Sequence, residues 1–131
     1  MEGASGSLYQ IKRGQAQMGG YDQYLRRNSL LLAYQGSTLQ NVTYGYDTAS
    51  RLQTVGDGTV SALYDYIANS PLVNHITFKN GATACMTTTK QYDHLDRLTS
   101  ISSAGASTVS FGYGYNQANQ RTGTTLADRS Y

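Results

Sequence analysis

Apolar and polar positions alternate with a period of two through much of the chain. Val60, Ala62, Tyr64 and Tyr66 interleave with Ser61, Leu63 and Asp65, which places the first four on one face of an extended strand. Val109, Phe111, Tyr113 and Tyr115 repeat the design, and so do Val42, Tyr44 and Tyr46. The Tyr-x-Tyr pairs therefore form a ladder on one side of a sheet. Turn formers fall between the runs. Gly56-Asp57-Gly58 separates Leu52–Val55 from the Val60 strand, and Asn80-Gly81 follows the alternating Leu72, Ile76 and Phe78. Asn-Gly is a strong hairpin signal because both residues tolerate positive φ. Ala104-Gly105-Ala106 divides the last full hairpin and Gln35-Gly36-Ser37 the first. No segment keeps a helical period. The pattern predicts an all-β chain: consecutive antiparallel β-hairpin repeats forming a curved sheet.

Aligning the chain with itself exposes the repeat. Tyr46-Asp47-Thr48-Ala49-Ser50-Arg51-Leu52 matches Tyr92-Asp93-His94-Leu95-Asp96-Arg97-Leu98 as Y-D-x-x-x-R-L, with Val55 and Ile101 following. Tyr21, Asp22 and Arg26 keep the same register. Tyr115-Asn116 opens a copy in which Asn replaces Asp and the arginine, Arg121, comes one place later. Tyr66 opens a degenerate copy, Ile67-Ala68-Asn69-Ser70-Pro71-Leu72, with neither acid nor arginine. The opening tyrosines are 25, 20, 26 and 23 residues apart, the scale of one supersecondary unit per repeat.

Each motif reads as a connector between strands. A tyrosine ring covers apolar area while its hydroxyl stays hydrated. The following Asp22, Asp47, Asp93 or Asn116 is of a type that caps a turn through backbone N–H groups. The arginine is placed to pair with a carboxylate and to lay its stem on a neighbouring ring. Leu52 and Leu98 then begin the next strand.

Composition narrows the function. Twelve tyrosines and fourteen glycines with a single proline favour strands and tight turns. Ten basic residues against eight acidic ones, scattered along the chain, are no footprint for nucleic acid, which needs a clustered positive stripe. Cys85 is the sole cysteine, so there is no intrachain disulfide and no cysteine-based metal site. Met1–Ser7 lacks the basic and apolar regions of a signal peptide, and no apolar run has the length of a membrane span. The organisation expected is a degenerate or poorly ordered segment over residues 1–20, a hairpin array over 21–125 and a truncated end over 126–131.

These residues resemble the YD repeat of the RHS family, whose unit reads roughly Y-D-x-x-G-R-L with a following Val or Ile. The match is most specific at Tyr46–Val55 and Tyr92–Ile101. Ser50 and Asp96 stand where the family usually has glycine. Members include bacterial RHS proteins, the C component of insecticidal Tc toxins and the teneurin shell. The resemblance implies a segment of a hollow β-shell, a noncatalytic wall that encapsulates a toxin polypeptide or mediates surface interaction. Its partners would be further YD repeats of a longer parent chain, and its parent would be secreted or at the cell surface. The family's Asp-Pro autoprotease element is absent, since the only proline, Pro71, follows Ser70.

Sharper chemistry finds little support. His94 and His75 read as a turn and a strand histidine, no G-x-S-x-G nucleophile motif occurs, and Gly112-Tyr113-Gly114-Tyr115 lacks the lysine of a phosphate loop. No cofactor, metal or catalytic role is expected. Asn41-Val42-Thr43 fits the N-glycosylation pattern, and Cys85 reads as a small apolar strand residue. The rival function is a carbohydrate- or cell-surface-binding module in which Tyr44, Tyr64 and Tyr113 stack on sugar rings. It requires the tyrosines to form one exposed row, whereas rings packed among neighbouring strands would remove it. Open strand edges are expected to make the isolated chain self-associate.

Overall fold

The computed structural model describes residues 8–12 and 15–129. Among these residues there are only strands and turns. The strands are β1 (Leu8–Lys12), β2 (Gln15–Tyr21), β3 (Arg27–Tyr34), β4 (Ser37–Tyr46), β5 (Leu52–Gly56) and β6 (Val60–Tyr66). They continue as β7 (Val73–Asn80), β8 (Thr83–Tyr92), β9 (Leu98–Ala104), β10 (Thr108–Tyr115) and β11 (Arg121–Arg129). Strand structure thus begins at Leu8, ahead of the expected start at Tyr21, and β11 runs past residue 125. The readings that concern Met1–Ser7 lie outside the described residues.

The chain divides into two compact units, Met1–Ser61 and Ala62–Tyr131. In the first, β1 to β5 lie in sequence order and every neighbouring pair is antiparallel. In the second, β6 to β11 also lie in sequence order, and the pairs from β7 onward are antiparallel. Each unit is a meander in which a strand returns beside its predecessor.

Tight turns close one end of each hairpin. Gln35 and Gly36 both take positive φ, 47° and 81°, between the paired Tyr34 and Ser37, as a two-residue I′ hairpin loop requires. Asn80 pairs with Thr83, so the loop there is Gly81-Ala82, and only Gly81 has positive φ, 57°. The Asn-Gly signal marks the turn correctly, but Asn80 itself stays in the strand. At the third turn the Asp57 carboxylate accepts the N–H groups of Thr59 and Val60 at 2.9 and 2.8 Å.

Register sorts the side chains onto two unlike faces, because directly paired residues point to the same side and successive residues alternate. In the first unit one face carries the row Gly19–Leu30–Val42, the flanking Leu32, and Tyr44 beside Val55. The other carries Gly20–Ser29–Thr43–Gly56, and Gly45 beside Thr54. In the second unit one face holds Ile76–Thr88–Ser103–Val109 and Lys90–Ile101–Phe111–Leu126. Its opposite face is nearly all small and polar, with Thr77–Thr87–Ala104–Thr108 and His75–Thr89–Ser102–Ser110.

No apolar residue among those described is buried. Among the described residues the one buried polar side chain is Thr88, 7% exposed, whose hydroxyl shares a 2.8 Å hydrogen bond with that of Ser103. A sheet that is apolar on one face ordinarily buries that face against a second layer, and the described residues of neither unit supply one. Cohesion inside each unit therefore rests on the strand ladders, the cross-strand pairs and the connectors.

Candidate functional site

The connectors 22–26, 47–51, 93–97 and 116–120 share one construction. Immediately before each, the register slips by one residue: Gly20 pairs with Ser29 but Tyr21 with Arg27, and Gly45 with Thr54 but Tyr46 with Leu52. Gln91 with Ser100 then Tyr92 with Leu98, and Gly114 with Gly123 then Tyr115 with Arg121, repeat the slip. A β-bulge thus lies opposite every connector tyrosine and bends the strand into the loop.

The aspartate organises the loop from inside. Asp47 Oδ1 accepts the N–H groups of Ala49 and Arg51, both at 2.9 Å, while Oδ2 accepts Arg51 Nε at 2.7 Å. Asp22 does the same with Tyr24 and Arg26, and Asp93 with Leu95 and Arg97. The aspartate N–H donates to the arginine carbonyl at 2.9 Å in all three loops. Each arginine is therefore held by the carboxylate of its own loop, with 2.6–2.7 Å ion pairs.

These contacts pull the carboxylates below their ordinary range. The Arg97 side chain, opposed by partial desolvation and helped by the N–H groups of Arg97 and Leu95, holds Asp93 at about 2. Asp22 is lowered first by the Arg26 side chain, Asp47 first by the Arg51 N–H, and Asp57 first by the Val60 N–H. Burial pushes the Tyr92 phenol up.

The residue before each arginine sits in the left-handed region: Leu25 at 60°, Ser50 at 62° and Asp96 at 61°, with Asn119 at 61° in the fourth loop. Glycine is the residue that adopts this conformation without steric cost. Ser50→Gly is expected to raise unfolding free energy by about 0.5–1 kcal/mol, measured by urea titration, because a side chain there strains the backbone. An unchanged or lowered midpoint would show that Ser50 compensates through the hydrogen bond its hydroxyl accepts from Arg26 Nη1 at 2.9 Å.

Two groups link one connector to the next. The first is the arginine. Arg26 lies 4.5 Å from the centre of the Tyr46 ring and reaches Ser50 in the following loop. Arg97 lies 4.7 Å from the Tyr115 ring centre and donates to Asn119 Oδ1 at 2.8 Å. The second is the tyrosine. In three repeats its hydroxyl, which the sequence allowed to stay hydrated, instead donates to a backbone carbonyl of the preceding repeat. Tyr46 bonds the Arg27 carbonyl at 2.7 Å, Tyr92 the Val73 carbonyl at 3.0 Å and Tyr115 the Leu98 carbonyl at 2.8 Å. In each case the acceptor is the first residue of the strand that leaves the previous connector.

Two copies depart from this plan. In the last, Gln120 rather than the delayed Arg121 fills the arginine position. Asn116 Oδ1 accepts Gln120 N–H and Asn116 Nδ2 donates to Gln120 Oε1, both at 2.9 Å, so an amide pair replaces the ion pair. Arg121 lies instead 5.6 Å from the Tyr113 ring centre, as Arg27 lies 5.7 Å from that of Tyr21. In the degenerate copy a loop one residue longer forms without a carboxylate. Ile67 N–H donates to the Leu72 carbonyl, Asn69 takes φ 57°, and Ser70 Oγ accepts the Leu72 N–H at 3.1 Å.

The candidate sugar-stacking tyrosines Tyr44, Tyr64 and Tyr113 are half-buried. His94 lies exposed in a connector turn, and His75 lies in β7. Cys85 is an exposed residue of β8. Among the described residues no group of three or more His, Cys, Asp or Glu is arranged to hold a metal ion, and no helix is long and apolar enough to cross a membrane. Compared with known proteins, the chain matches no family model and no curated sequence.

Proposed function

We propose that the chain is a noncatalytic structural segment of an RHS/YD-repeat protein, a stretch of β-shell wall that works by enclosing a polypeptide or by meeting a surface. The observation that carries this reading is the pairing of an unburied apolar face with connectors that bond one repeat to the next inside each unit. A free-standing domain of this length normally encloses a core, whereas repeat units bury their faces only in a larger array. The connector chemistry supports the same reading, because Tyr46, Tyr92 and Tyr115, with Arg26 and Arg97, bond or pack against the neighbouring repeat.

On this reading the partners are further YD repeats of a longer parent chain, with a toxin polypeptide enclosed by the wall and a parent that is secreted or displayed at the cell surface. The test is the coding sequence on either side of this segment. Further Y-D-x-x-x-R-L units leading to an Asp-Pro protease element and an unrelated C-terminal domain are expected. Flanks without such units would overturn the reading in favour of a small β-protein that binds through its tyrosine face.

A further inference from the structure

We propose that Asn80, at the tip of the β7–β8 hairpin, is a site of spontaneous covalent modification, where the Gly81 backbone nitrogen displaces the side-chain amide. The hairpin ends set glycine after four different residues, in Gln35-Gly36, Asp57-Gly58, Asn80-Gly81 and Ala104-Gly105. Attack by the glycine nitrogen needs a side-chain carbonyl that closes a five-membered ring and a group that can leave. Ala104 has no carbonyl, and Gln35 would have to close a larger ring. Asp57 carries an ionised carboxylate, which resists attack and is held by the N–H groups of Thr59 and Val60 at 2.9 and 2.8 Å. Asn80 meets both requirements.

The surroundings leave the reaction open. Asn80 through Met86 are all exposed. Neither the Asn80 carboxamide nor the Gly81 N–H has a hydrogen-bond partner among the described residues. A Cβ built on Gly81 would meet no atom within 4 Å, so nothing screens the nitrogen. The register slips between Phe78–Met86 and Lys79–Ala84, which leaves only the pairs Lys79–Ala84 and Asn80–Thr83 beyond the bulge. A short exposed ladder beyond a bulge opens at little cost. Once open, Asn80 rotates to bring the Gly81 nitrogen onto Cγ, and two groups of one chain then react at high effective concentration.

The step balances without an oxidant or reductant. The Gly81 nitrogen loses its proton to solvent and bonds to Asn80 Cγ; the Cγ–Nδ2 bond breaks and ammonia leaves a succinimide. Water opens the ring at the side-chain carbonyl to give aspartate, or at the main-chain carbonyl to give isoaspartate. Either product sets a negative charge next to Lys79 in the chain. Isoaspartate also adds a carbon to the backbone, which disrupts the Asn80–Thr83 pairing. This inference does not rest on the repeat-shell reading.

The test is storage of the full chain at neutral pH and physiological temperature, folded or in denaturant. Acid-protease digestion and mass spectrometry read conversion at each asparagine, and isoaspartyl methyltransferase with labelled S-adenosylmethionine reads isoaspartate. In the folded chain Asn80 is expected to convert about tenfold or more faster than Asn28, Asn41 or Asn74. Its folded rate is expected to lie within about tenfold of its rate in denaturant, because the tip opens readily. Asn80→Gln, which copies the residue before Gly36, is expected to cut total isoaspartate about tenfold. Conversion at Asn80 no faster than at the other three overturns the proposal. So does a folded rate far below the denatured one, which would mean that the hairpin holds Cγ away from the nitrogen. Isoaspartate that survives Asn80→Gln would assign the reaction to another residue and overturn it as well.

Discussion

Tyr46→Ala is expected to cost roughly 3 kcal/mol of unfolding free energy, the largest effect of any single connector substitution in the first unit. Three losses combine: ~1 kcal/mol for the bond to the Arg27 carbonyl, ~0.5–1 for the ring beneath Arg26, and ~1–1.5 for the half-buried apolar area of the ring. The position magnifies the loss because the ring joins two connectors that are far apart in sequence and adjacent in space. Arg26 above it would keep Asp22 and Ser50 but lose its platform. Tyr46→Phe separates the contributions. It keeps the ring and is expected to lose only ~1 kcal/mol, the share of the hydroxyl. Tyr34→Ala serves as the comparison, since Tyr34 is 42% exposed at a turn and makes no connector contact of this kind. Urea unfolding followed by circular dichroism checks all three. Equal losses at Tyr34 and Tyr46 would mean that the tyrosines act through strand propensity and not through the connector bonds.

Acid is expected to unfold the chain over a narrow range. Asp22, Asp47, Asp57 and Asp93 are all more acidic in the folded chain than the ordinary 3.8, with Asp93 at about 2. As pH falls below about 4 the unfolded chain takes up protons first, so its free energy drops relative to the folded one. The stability these carboxylates contribute is complete at neutral pH, begins to fade near pH 4 and is lost as pH passes through about 2. Urea midpoints should be level between about pH 7 and pH 5 and fall steeply below about pH 4. Asp93→Asn should lower the neutral-pH midpoint and make the acid limb shallower, because the amide keeps an acceptor for the two N–H groups but loses the charge that holds Arg97. An acid limb unchanged by Asp93→Asn would show that Asp93 does not contribute to it, and Asp22→Asn and Asp47→Asn would then test the other two connectors. The Asn116–Gln120 loop, built from amides, should contribute nothing to this limb.

The local features of the fold were legible because their causes lie within a few residues. Alternation marks β6 and β10 almost to the residue, and Gln35-Gly36 and Asn80-Gly81 locate two hairpin ends. The type of Asp47 and Asp93 announces a capped loop, since the N–H groups each carboxylate meets lie only two and four places on. The Y-D-x-x-x-R spacing likewise brings acid and arginine together, because a loop closed by the aspartate's own backbone bond returns the chain four residues later.

Other features depend on atoms that the sequence does not place side by side. Reading the arginine of the last copy by type alone selects Arg121, although the loop closes at the fixed position and Gln120 stands there. The departure from glycine at Ser50 and Asp96 raised the question of the backbone angle there, and the structure answers it: both keep the left-handed conformation, at 62° and 61°. The tyrosine hydroxyls find carbonyls 17 to 19 residues away, across a strand pairing whose one-residue bulge no local pattern encodes. The sequence by itself determined strands, turns and capped loops, all governed by short-range sterics and hydrogen bonding. The tertiary structure alone decided the bulged register, the two unlike faces and the bonds from one connector to the next, because each depends on which distant strand lies alongside.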